Sequence, residues 1–238
     1  MRIALVQYRR QHPVDVSRVE LVGLATAAAV GSDLVVLPEM AVTGYAFAGP
    51  DAVRAVAEAP DGPTVASWAA VARGAGCWVV GGFPERDGDR LFNSAAIVDP
   101  RGALRFVYRK TLLYEADLPW AAPGDSGYRA FDAEHGRFGV GICMDLNDDG
   151  FVGWVNGADL DVIAFPTNWV RDPDDSLDPW TYWAWRIDAS GAALAAANTW
   201  GVDGGLSFTG RSAILHRRRL LGALGETGNG VVRATVRR

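Results

Sequence analysis

"GVGICMDLN", residues 139–147, is a short apolar run that breaks off at Cys143 and turns polar at Asp145 and Asn147. With the residues before it, it reads as a buried strand over 137–144 that ends where the backbone turns. The chain has two cysteines. A free cysteine in an apolar strand is ordinarily a small core residue, and that reading suits Cys77 in "GCWVVGG" (76–82). At Cys143 a second reading competes: a nucleophile presented on a strand-to-helix turn. The rest of the chain has to decide between them.

Outward from this stretch, strand-like and helical runs alternate. "RIALVQY" (2–8), "DLVVLPE" (33–39), "CWVVGGFP" (77–84) and "DVIAFP" (161–166) read as strands, and near-continuous apolar strands imply sheets covered on both faces. Helical patterns fall near 15–30, 64–76, 151–157 and 176–191, the last with Ser176 as its N-cap. "LFNSAAIVDPRGALRFVYRK" (91–110) reads as a hairpin about the turn "DPRG". "AALAAANT" (192–199), "GLSFTGRSAIL" (205–215) and two short terminal strands complete the pattern. No linker, low-complexity tract or short-period repeat interrupts it, so the reading is one domain over 1–238, a layered α/β sandwich.

Composition bounds the function. The 238 residues carry a net charge of −5, with a pI near 5.2. A general nucleic-acid binder would need a basic face, and the short "HRRRL" (216–220) reads as a solvated turn between strands. No apolar run approaches the roughly 20 residues of a membrane span. Two cysteines make no disulfide framework, and the three histidines (His12, His135, His216) are scattered, so zinc is not expected. Met1 leads straight into a strand rather than a signal peptide, and a cytoplasmic location is the expectation.

Three strand ends carry ionisable groups. Glu39 follows a buried strand in "VVLPEMAVTGY", with apolar residues on both sides; partial desolvation there would raise its pKa and suit a general base. Lys110 ends the strand of "FVYRKTLLYE". Cys143 is the third. A thiol attacking a carbonyl or nitrile carbon needs a base for its proton and a donor for the developing oxyanion. Glu, Lys and Cys could supply these, but spacing alone does not show that they meet; each is also compatible with an ordinary surface or core role.

The three motifs together resemble the carbon–nitrogen hydrolases of the nitrilase superfamily. "LPEMAVTGY" (37–45), "YRKTLLYE" (108–115) and "GVGICMDLN" (139–147) occur in that family's chain order, and the likeness extends through "ADLDVIAFPTNW" (158–169), "AALAAANTWG" (192–201) and "FTGRSAIL" (208–215). The likeness is strongest to the branch that deamidates N-terminal Asn and Gln. It implies a four-layer α-β-β-α sandwich, commonly a homodimer, with no metal or organic cofactor. It implies Cys143 as nucleophile, Glu39 as base, and Lys110 with the Met144 backbone N–H as oxyanion donors. Glu115, or its rival Asp117, would be the second acidic residue. Substrate contacts are implied at Tyr45, Asp145, Asn168, Trp169 and Asp172. Asp145, Asp172 and Asp175 are the expected partners for a substrate ammonium, in or near the Trp- and Asp-rich stretch 167–185. The substrate would be a small amide or a peptide N-terminus. The rival readings are an omega-amidase, an N-carbamoyl hydrolase, a nitrilase, or a silent binding module on the same fold.

Overall fold

The computed structural model describes residues 1–171 and 177–237. Its strands, in chain order, are β1 (Arg2–Gln7), β2 (Leu34–Val36), β3 (Trp78–Asp87), β4 (Arg90–Val98), β5 (Leu104–Arg109), β6 (Ala130–Ala133), β7 (Gly136–Val140), β8 (Val162–Pro166), β9 (Ala193–Ala197), β10 (Trp200–Asp203), β11 (Leu206–Thr209), β12 (Ala213–His216), β13 (Arg219–Ala223) and β14 (Gly230–Thr235). The helices are α1 (Val14–Ala29), α2 (Pro50–Arg54), α3 (Pro63–Ala75), α4 (Asp149–Gly157) and α5 (Pro179–Ile187). Two six-stranded sheets result, ordered β14-β1-β2-β3-β4-β5 and β13-β12-β9-β8-β7-β6, with β10 and β11 as a separate ribbon. Each sheet has three adjacent parallel strands flanked by antiparallel ones.

The period-2 alternation of the strands builds the layers. In β1, Ile3 and Leu5 face the second sheet, whose Val162 and Ala164 from β8 share the same core. The alternate residues Ala4 and Val6 face outward onto Leu21 and Ala25 of α1 and Trp68 of α3. In β8 the outward residues Ile163 and Phe165 pack with Phe151 and Val155 of α4 and Trp183 of α5. The three interlayer cores therefore stack as α-β-β-α, the sandwich expected from the sequence. Among the described residues no helix is long and apolar enough to cross a membrane.

Local chemistry sets most element ends. Gly76, at φ 67°, takes the left-handed position that closes α3 and donates its N–H to Ala72 O. In the β4–β5 turn, Asp99 Oδ1 accepts the N–H groups of Arg101 and Ala103. Three expectations change. The strand read over 137–144 stops at Val140, because Cys143 adopts φ 43° and starts a 3₁₀ turn, Cys143–Asn147. The run 205–215 is two strands, broken where Gly210 and Arg211 both have positive φ. The helix read over 176–191 is α5 followed by a 3₁₀ turn, and Asp178 caps it by accepting Thr181 N–H; Ser176 lies outside the described residues. The edge strand β6 was not foreseen.

This topology positions the site. β5 is antiparallel to β4 and β4 to β3, so β5 runs in the same direction as β2 and β3. The chain therefore leaves β2 and β5 at the same end of the first sheet, and β7 and β8 run parallel in the second. Residues just past these four strands are Glu39, Lys110, Cys143 and Asn168.

Candidate active site

Glu39 sits three residues beyond β2 and is 1% exposed. Its backbone is held against β3: Gly82 donates to Pro38 O, and Ala41 donates to Gly82 O. A Cβ at Gly82 would come within 2.5 Å of Glu39 Cα, so only glycine allows this approach. Lys110 follows β5 and is as deeply buried. Its Nζ donates to Glu39 Oε1 at 2.8 Å and to Asp117 Oδ2 at 2.7 Å. An ammonium has three donors, so one N–H remains uncommitted among the described residues. Burial pulls the Lys110 pKa down, but Glu39, Tyr45 and Asp117 more than reverse this and hold it well above its ordinary value.

Asp117 accepts from four groups: Lys110, Asn93 Nδ2 at 3.1 Å, Tyr45 Oη at 3.0 Å and Tyr114 N–H at 3.1 Å. Asn93 also donates to Glu39 Oε1 at 2.7 Å. Of the two acidic candidates after Lys110, then, it is Asp117 that meets the lysine. Glu115 is exposed on the outside of the 114–118 turn, where the N–H groups of Asp117 and Leu118 donate to Tyr114 O and turn Asp117 inward. Asn93 went unread in the sequence. Its signal was a lone amide in the apolar β4 stretch "LFNSAAIV", which must find buried partners. Tyr45, expected to touch substrate, instead packs behind Lys110, its ring centroid 5.7 Å from Nζ. Burial raises its pKa well above 10, which keeps it a neutral donor to Asp117.

Glu39 Oε2 is the unusual atom. It is buried and has no hydrogen-bond partner among the described residues. Desolvation raises the Glu39 pKa, Lys110 opposes this and Asp117 reinforces it. The Cys143 thiol lies within the field of this group: burial, then the Glu39 charge, push it up to about 12, while Lys110, Thr167 and the Asn168 backbone act the other way. Burial and the Glu39 charge thus favour the neutral thiol over a preformed thiolate. Cys143 is nevertheless partly exposed, because the cavity opens onto it.

Asp145 does not reach that cavity. It is fully buried, and its carboxylate accepts Thr111 N–H and Leu112 N–H on Oδ1 and Tyr108 Oη–H and Ile142 N–H on Oδ2. It ties the nucleophile turn to the segment after Lys110, which leaves no lone pair for a substrate ammonium. Burial raises its pKa to about 6 against the pull of these donors. Asp145→Asn would place an NH₂ where two donors already point. The expected result is a loss of about 2–4 kcal/mol in urea unfolding, from buried donors left without acceptors, together with weakened activity.

The cavity in front of Cys143 has a volume of about 300 Å³ and is lined by Tyr114, Met144, Asn147, Asn168, Trp169, Val170, Leu177 and Tyr182. Asn168 Nδ2 donates to Glu39 O at 2.9 Å. Trp169 forms the wall, with ring centroids 5.5 Å from Tyr182 and 5.6 Å from Trp183. Met144, Asn168 and Trp169 line this cavity together with Cys143. Asp172 and Asp175 lie outside the described residues. Among the described residues no group of three or more His, Cys, Asp or Glu side chains is placed to hold a metal ion.

The chain is similar to several known proteins. The carbon-nitrogen hydrolase family profile matches residues 2–238. A nitrilase of Pyrococcus abyssi is 38% identical over 77% of this chain and 68% of its own. The protein N-terminal amidase of Schizosaccharomyces pombe is 27% identical over 84% of this chain and 85% of its own. In three dimensions, the crystal structure of an amidase from Nesterenkonia sp. superposes with a TM-score of 0.82, at 23% identity, over 98% of this chain and 89% of that one.

Proposed function

The chain belongs to the carbon–nitrogen hydrolase family, enzymes of C–N bonds other than peptide bonds, and on that premise we propose that it is a cysteine-dependent amidase that releases ammonia from a carboxamide through a thioester. The observation that carries this reading is Glu39 Oε2: a carboxylate oxygen buried without a hydrogen-bond partner among the described residues, in a charged cluster whose field acts on the Cys143 thiol. Glu39 takes the Sγ proton as Cys143 attacks the amide carbon, so the sulfur need not ionise beforehand. The free N–H of Lys110 and the Met144 N–H, at the start of the 3₁₀ turn, stabilise the oxyanion. Glu39 gives its proton to the leaving nitrogen and ammonia departs. Water, deprotonated by Glu39, then attacks the thioester; the C–S bond breaks and the carboxylic acid leaves. Asp117 holds Lys110 in place, and Asn93 bridges the two carboxylates.

The cavity supports a small neutral carboxamide as substrate. Its described lining is aromatic, aliphatic and amide, and an ammonium or a distal carboxylate taken from water requires a charged partner. A second reading, N-terminal Asn or Gln of peptides, rests on the similarity to the yeast amidases. Comparing kcat/KM for a simple aliphatic amide, free Asn and Gln peptides and their N-acetyl forms separates the two. The cavity reading expects the aliphatic amide to be turned over and acetylation to make little difference. A large penalty for acetylation would transfer the substrate to the peptide N-terminus.

A further inference from the structure

A second opening reaches the same cluster from behind. A narrow cleft, lined among others by Arg9, Arg10 and Trp200 at its outer end and by Glu39, Tyr45 and Asn168 at its inner end, has a free volume of about 10 Å³, room for roughly one water. It shares only Asn168 with the cavity in front of Cys143. Three polar atoms of its lining residues are buried without partners among the described residues: Glu39 Oε2, the donor Arg9 Nε, and the acceptor Asn168 Oδ1 on a residue only 3% exposed. The Arg9 guanidinium is steadied over the Trp200 ring, 5.3 Å from its centroid, and Arg9 N–H donates to Asn229 Oδ1. A donor and an acceptor left unsatisfied in a polar space the size of one water describe a water site.

We propose that this cleft is the water entry for the second half of the reaction: a water held between Arg9 Nε and Asn168 Oδ1 passes to Glu39 while the acyl group on Cys143 occupies the front cavity. A rear route has a chemical use. Once the thioester has formed, the acyl chain narrows, without closing, the side from which the amide entered and by which ammonia leaves. Water arriving from the rear gives a proton to Glu39, its oxygen bonds to the thioester carbon, the C–S bond breaks and the proton returns to sulfur. Ammonia leaves before this step, so the path need only be wide enough for one small neutral molecule. Arg9 is then a positioning residue for water, with no part in forming the thioester.

This inference rests on the thioester reading above, and the test separates the two. The wild-type enzyme, Arg9→Met and Arg9→Gln turn over a simple aliphatic amide in the presence of O-methylhydroxylamine, a nucleophile too large for the cleft. The ratio of O-methylhydroxamate to carboxylic acid reports competition for the acyl-enzyme whichever step limits the rate. Met carries a methyl group where Arg has Nε, and Gln carries an amide nitrogen there. Arg9→Met is expected to raise the ratio about fivefold, the loss of roughly one hydrogen bond to the water, and Arg9→Gln to restore it. An unchanged or lowered ratio in Arg9→Met, or no recovery in Arg9→Gln, overturns the water site. Absence of any hydroxamate from the wild-type enzyme would instead overturn the thioester itself.

Discussion

Cys143→Ala is expected to leave the fold intact and to reduce turnover of the amide by at least about 10⁴-fold, the scale seen when a nucleophile is deleted. The side chain packs at the margin of the central core and its turn is held by the Asp145 carboxylate, which the substitution does not touch. Cys77→Ala is expected to do the opposite. That thiol is fully buried under α1 and α3, its loss is a packing defect of about 1 kcal/mol, and activity should be retained. Thiol acidity does not distinguish the two, since burial pushes Cys77 up to about 11 and Cys143 to about 12. What distinguishes them is the neighbouring base and the open cavity, so iodoacetamide should inactivate by modifying Cys143 alone. Ammonia release that survives in Cys143→Ala would remove the nucleophile from the account.

Glu39→Gln is the second large effect. Gln retains an oxygen to accept from Lys110 and Asn93, so the cluster's packing is conserved while the base is lost. The rate of thioester formation should fall by at least about a hundredfold, as for removal of a general base. The pH profile carries the same information. A base acts when ionised, and the Glu39 pKa is raised by burial above the ordinary 4.5. The kcat/KM of the native enzyme should therefore rise with pH along an acid limb displaced above 4.5, and fall as pH drops through it. In Glu39→Gln that limb should disappear. A limb that persists in the variant would assign the base elsewhere.

The layered fold was legible because each layer has its own period: apolar alternation in β1 and β8 sorts residues between two cores, and glycine and proline mark the turns. The turn at Cys143 was legible as a break in polarity, but not its cause, a left-handed residue that ends the strand at Val140. The expectation that Glu39, Lys110 and Cys143 share one site was carried by the resemblance, since any convergence depends on strand order and on the chain reversing twice after β3. Two carboxylates were misread for one physical reason. A charge near a reactive residue looks like a ligand in sequence, yet a buried carboxylate must first be satisfied by the backbone around it. Asp145 is satisfied by Ile142 N–H just before its own turn and by donors of the 108–112 segment, and Asp117 rather than Glu115 is turned inward by its own short loop. Asn93 was overlooked because it is uncharged, although an amide inside a covered strand is as demanding of partners as a charge.

The covalent step is the centre of the account, and rapid-quench mass spectrometry of the enzyme during turnover of a simple aliphatic amide tests it most directly. The account predicts an acyl adduct on the peptide carrying Cys143, formed with the first equivalent of ammonia, and none on the peptide carrying Cys77. An adduct on Cys77, or ammonia released while both cysteines remain unmodified throughout, would contradict it.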